Sequence, residues 1–154
     1  MKIKAIALLF LVMAWVSCGE KKSQDVTSEP AKEEVKEETA DADPMKNKGI
    51  GPISSISLGE IDETMVASGE IAFKAKCTAC HKISKRHIGP ALKGVTDRRS
   101  PEWIMNMILN PEEMVQNDPI AKKLLVEYNG APMANQNLTE EEARSILEYF
   151  RTKK

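Results

Sequence analysis

Residues 77–81 read Cys-Thr-Ala-Cys-His, and nothing else in the chain narrows its folds so far. Two thiols three positions apart, followed directly by an imidazole, allow few chemistries. A thioredoxin-like dithiol needs a strand before it and a βαβ setting. Here the residues ahead of Cys77 read as a helix through Met65, Gly69, Ala72 and Phe73. A structural zinc site needs four ligands. The folded part offers only Cys77, Cys80, His81 and His87, and the adjacent Cys80 and His81 do not easily converge on one ion. A Cys77–Cys80 disulfide would explain neither His81 nor the rest. The remaining reading is c-type haem attachment. The thiols add across the two haem vinyl groups, whose separation sets the spacing, and His81 is carried over the ring to ligate the iron. One haem, held covalently through Cys77 and Cys80, is the expected cofactor.

The scarcity of large side chains agrees with this. Aromatic residues make up 5% of the chain. Once the N-terminal Phe10 and Trp15 are set aside, Phe73, Trp103, Tyr128, Tyr149 and Phe150 remain. A haem fills the space that a small all-protein core would need more such residues to fill. Lys plus Arg (22) and Asp plus Glu (23) nearly cancel, which excludes a general nucleic-acid binder.

At the N-terminus, Lys2 and Lys4 precede an apolar run from Ala5 to Val16. That run is too short to span a bilayer, which takes roughly 20 residues, and it has the form of a secretory signal. Its end, Trp15-Val16-Ser17-Cys18-Gly19, resembles the bacterial lipobox, with Trp15 where that pattern usually has Leu. The resemblance implies a signal peptide over 1–17 and lipidation at Cys18. From Glu20 to Lys48 there are nine acids, six lysines and no aromatic residue. Such a segment buries too little apolar surface to offset its ordering entropy. Residues 18–58 are therefore expected to be an acidic tether and residues 59–154 the folded domain.

The folded part is expected to be all-α. Asp62 can cap a helix running to Lys76, and Ser100-Pro101 pairs an N-cap with Pro at the first helical position. Pro111 stops that second helix. Asp118-Pro119 opens another, which Asn129-Gly130 closes. Thr139 with Glu142 forms a capping box for the last helix. Residues 82–99 and 129–138 are left irregular.

A second axial ligand is expected from the methionines, because a soft thioether suits His/Met ligation. Met65, Met105, Met107 and Met114 lie on or beside helices, where a Met is more often core. Met133 stands in the irregular segment before the last helix and is the candidate. His87, six residues past His81, is expected to be a solvated loop residue.

Taken together, residues 59–154 resemble a monohaem class I cytochrome c. Gly69 and Phe73 match that family's N-terminal helix, and Ile146 and Tyr149 match its partner on the C-terminal helix. Ile88-Gly89-Pro90-Ala91-Leu92 resembles the loop after the haem motif. The resemblance implies that the Pro90 carbonyl accepts the His81 Nδ1–H, that Leu92 lies against the ring, and that Arg98, Arg99 and Trp103 serve a haem propionate. It also implies an electron carrier rather than an enzyme: exported, lipid-anchored, facing the periplasm, and monomeric. Its redox partners would be respiratory-chain proteins, such as a quinol-oxidising complex and a terminal oxidase or nitrogen-oxide reductase. A haem-based sensor or small haem enzyme with an open sixth site, and a fixed subunit of a respiratory complex, are the alternatives. Eight bases against Asp97 between Lys74 and Arg99, and nine acids against three bases from Ser100 to Phe150, suggest a positive rim beside the haem that steers acidic partners.

Overall fold

The computed structural model describes residues 43–154. Cys18, the signal segment and the first part of the expected tether lie outside the described residues. The elements are α1 (Glu63–Lys76), a short 3-10 turn (Val95–Asp97), α2 (Pro101–Leu109), α3 (Pro111–Asn117), α4 (Pro119–Glu127) and α5 (Glu140–Arg151). The all-α class is as expected, with no strand among the described residues.

The caps follow the sequence closely. Asp62 Oδ1 accepts from the amides of Thr64 (2.9 Å) and Met65 (3.0 Å) and starts α1. Ser100 Oγ accepts from Trp103 N at 3.1 Å, with Pro101 in the first turn of α2. Asp118 caps α4 through Ala121 N at 2.8 Å, and Thr139 and Glu142 close a reciprocal capping box on α5. Asn129 and Gly130, both at positive φ, turn the chain out of α4. The short helix α3 was not anticipated. Pro111 ends α2 and also serves as the first residue of the next helix.

Helices α1 and α5 pack directly together. The contact is closest at Gly69, where a Cβ would lie 1.9 Å from the Ser145 carbonyl oxygen. Phe73 then meets Tyr149 and Phe150, with ring centroids 5.5 and 5.6 Å away, separations that favour aromatic pairs. Helix α5 also buries Glu148 completely. Its carboxylate is paired with Arg144 and Arg151, the latter at 2.7 Å, as a buried charge requires.

The boundary expected at residue 58 needs correction. Residues 47–56 pack on α2 and α3 rather than belonging to a tether. Ile53 is buried. The fully buried Asn106 accepts from Ile53 N at 2.9 Å and donates to the carbonyls of Lys48 and Ile53, each at 2.9 Å. Asn47 Nδ2 donates to Asp118 at 2.7 Å. Composition concealed this because the segment is held largely by hydrogen bonds to buried side chains distant in sequence, among them Asn106, Asp118 and Ser100, with a single buried aliphatic of its own.

Candidate cofactor site

The attachment motif grows out of the end of α1. Cys77 is the C-cap of that helix, and the chain turns at once, with Cys80 N and His81 N donating back to Cys77 O at 3.1 and 2.8 Å. Cys77, Cys80 and His81 thereby come to line one cavity of about 450 Å3, within the usual range for a small-molecule or cofactor site. Its walls are mostly apolar and include Leu92 from the loop, Ile104 and Ile108 from α2, and Ile146 and Phe150 from α5.

His81 is oriented from behind. Its Nδ1 lies 3.1 Å from the Pro90 carbonyl oxygen. A carbonyl can only accept, so Nδ1 carries the proton and Nε2 keeps its lone pair. Burial holds the imidazole pKa below its usual value, with the Pro90 hydrogen bond opposing, so the ring is neutral at pH 7 and fit to ligate a metal. Gly89 makes this approach possible, since a Cβ there would lie 2.4 Å from His81 Cε1. Burial also pushes the Cys77 thiol up to about 11, with Cys80 adding to the effect.

The other expected residues divide. Met133 is half-buried and lines the cavity, and so does Met107. Met65, Met105, Met114 and His87 are not part of its lining, and His87 is exposed. Arg98 lines the cavity but its guanidinium donates to the carbonyls of Lys93 (2.7 Å) and Ala91 (3.2 Å). The indole N–H of Trp103 is committed to Asp118 Oδ1 at 3.0 Å. Trp103 therefore offers the cavity its ring rather than a free N–H donor. The unpaired donor belongs to Arg99, whose buried Nε has no hydrogen-bond partner among the described residues. Arg99 lines the same cavity, and of the three residues expected at a propionate it is the one with a buried donor left unpaired among the described residues.

The residues present thus fit a c-type haem: two thiols and an imidazole at one cavity wall, an apolar lining, and one buried cationic donor left over. Asp118 is more than the cap its sequence position suggests, since it joins Asn47, Trp103 and Ala121, and the contacts of Arg86, in the sequence one base of the positive rim, and of Tyr128 carry no local signal.

The Cytochrome c family model matches residues 66–154. Cytochrome c-551 of Ectopseudomonas mendocina is 34% identical over 89 residues, 57% of this chain and 100% of that protein. The solved structure of cytochrome c from Rhodothermus marinus is 51% identical with a TM-score of 0.64, covering 66% of this chain and 87% of that one. An engineered cytochrome c from Rhodothermus marinus, solved with a bound carbene intermediate, is likewise 51% identical, with a TM-score of 0.61 over 66% of this chain and 88% of that one.

Proposed function

This chain belongs to the cytochrome c family, and from that premise we propose an exported, lipid-anchored electron carrier in which His81 and Met133 would ligate the haem iron. Haem-based electron transfer is the family's activity, and the iron supplies it by cycling between Fe(III) and Fe(II). The chain's own residues do the rest. The Pro90 carbonyl fixes the His81 tautomer and ring plane, which also raises ligand basicity. Arg99 offers its buried Nε–H to a propionate. The apolar walls exclude water, and with Met133 they favour a raised potential.

The observation that carries this reading is that His81, already committed at Nδ1, shares one cavity with the half-buried thioether of Met133. Signal cleavage before Cys18, lipidation there, and a domain facing the periplasm complete the proposal, supported by the lipobox-like end of the apolar N-terminal run. Donor and acceptor are respiratory-chain redox proteins, such as a quinol-oxidising complex and a terminal oxidase or nitrogen-oxide reductase, as the family resemblance implies. Met133→Ala tests the ligation. The oxidised parent should show the weak long-wavelength sulfur-to-iron absorption band, and the variant should lose it. A parent protein without the band, whose reduced form binds carbon monoxide readily, would instead be a haem with an open sixth site.

A further inference from the structure

Residues 129–138, which carry Met133, make few hydrogen bonds to the rest of the described residues, although Met133 and Leu138 pack against the core. Their hydrogen bonds are local, such as Ala131 N to Tyr128 O and Asn137 N to Asn135 Oδ1. The long-range exception is Asn135 Nδ2 to Leu109 O at 3.5 Å, on an exposed surface. Gly130 N to Leu125 O at 2.8 Å closes α4 where the segment starts, and a contact from outside the helix can brace it further.

Arg86 is placed to do so. It sits in the loop that follows the attachment motif, and Gly89 N ties that loop to Cys80 O at 2.9 Å. From there Arg86 Nη2 reaches the Glu127 carbonyl oxygen at 2.8 Å. Glu127 is the last residue of α4, so its carbonyl is one of the unpaired acceptors at a helix C-terminus, where a cation is favoured. The same guanidinium lies over the Tyr128 ring, 4.1 Å from its centroid, within cation–π range. Both Glu127 and Tyr128 line the cavity, and Met133 follows a few residues on.

We propose that Arg86 is a positioning residue for Met133: it bridges the attachment loop to the root of the segment that bears the thioether. The bridge rests on the His81/Met133 reading above. It holds the segment closed and so limits how often a foreign ligand can replace the thioether.

The test uses the full haem-loaded protein and two variants, Arg86→Ala and Met133→Ala. Imidazole is mixed with each oxidised protein and binding is followed by absorption, while amide exchange is mapped along the chain. Loss of a charge-assisted hydrogen bond and a cation–π contact should raise the imidazole binding rate of Arg86→Ala by about tenfold. Exchange should quicken by a similar factor over residues 129–136 and stay unchanged in α1 and α5, which a general loss of stability would not spare. Arg86→Ala matching the parent in both measurements overturns the proposal. If Met133→Ala retains the sulfur-to-iron band, the ligand assignment has failed instead, and the exchange data still decide whether Arg86 holds the segment.

Discussion

Gly69→Ala tests the helix contact on which the site is built. A Cβ at Gly69 would lie 1.9 Å from Ser145 O and 2.9 Å from Ile146 N, both backbone atoms that no rotamer change can move. Ordinary contact begins near 3.4 Å, so α5 must retreat by about 1.5 Å. Retreat also draws Tyr149 and Phe150 from Phe73. Overpacking of this kind costs about 3 kcal/mol, the upper end of the usual range because the obstacle is backbone. Alanine returns about 1 kcal/mol through its better helix propensity. The net loss of about 2 kcal/mol corresponds to a fall in Tm of roughly 8–16 °C for a domain of about 100 residues. Thermal melting of the haem-loaded protein, followed by far-ultraviolet circular dichroism, measures this. Gly59→Ala is the control, since a Cβ there meets nothing within 4 Å. A Gly69→Ala variant that melts at or above the parent temperature would show propensity alone at work and refute the close crossing.

Three further perturbations have defined outcomes. Asp118→Ala removes the acceptor of Trp103 Nε1, Asn47 Nδ2 and Ala121 N; denaturant unfolding should register a loss of about 3–5 kcal/mol from the stranded donors, with faster amide exchange near Asn47. Gly89→Ala drives a methyl into the His81 ring and pulls Nδ1 from Pro90; intact mass and absorption spectra should reveal incomplete haem loading and a shifted reduction potential. Cys77→Ala with Cys80→Ala leaves the cavity of about 450 Å3 without its covalent occupant; at about 24 cal/mol per Å3 the upper cost is on the order of 10 kcal/mol, comparable to a whole domain's stability, so the helical circular dichroism signal should be largely lost.

The parts legible in the sequence were those whose cause is local. A cap needs one side chain and an amide two or three positions on, so Asp62, Ser100, Asp118 and Thr139 could be read directly. The attachment motif is equally local, because its spacing is set by the haem. The misread parts depend on partners far along the chain. Asn106 holds residues 48–53 across 53 to 58 positions, and Asn47 reaches Asp118 across 71. Nothing in residues 43–58 themselves announces that buried side chains such as Asn106 and Asp118, far along the chain, need partners. The indole of Trp103 was assigned to the haem for the same reason: its competitor, Asp118, had already been given a different task as a helix cap. Arg86 reads as one more surface charge until the end of α4 is seen beside it.

The basic stretch from Lys74 to Arg99 takes on a more definite meaning in the structure. Among the described residues, only Lys74 is offset by a carboxylate, Glu70 at 2.8 Å. Lys82, Arg86 and Arg98 donate to carbonyls of Thr78, Glu127, and Lys93 with Ala91, which pins each charge in place without neutralising it. These three charges beside the attachment motif are therefore held in place, and less of their side-chain entropy is lost when a partner docks. Steering by such a field acts on association rate and is screened as the Debye length falls from about 30 Å at 0.01 M salt to about 3 Å at 1 M. Electron transfer to an acidic redox partner, measured by stopped flow, should slow by about tenfold or more over that range. Rates that stay flat would mean the partner docks elsewhere, away from the residues that surround Cys77 and Cys80.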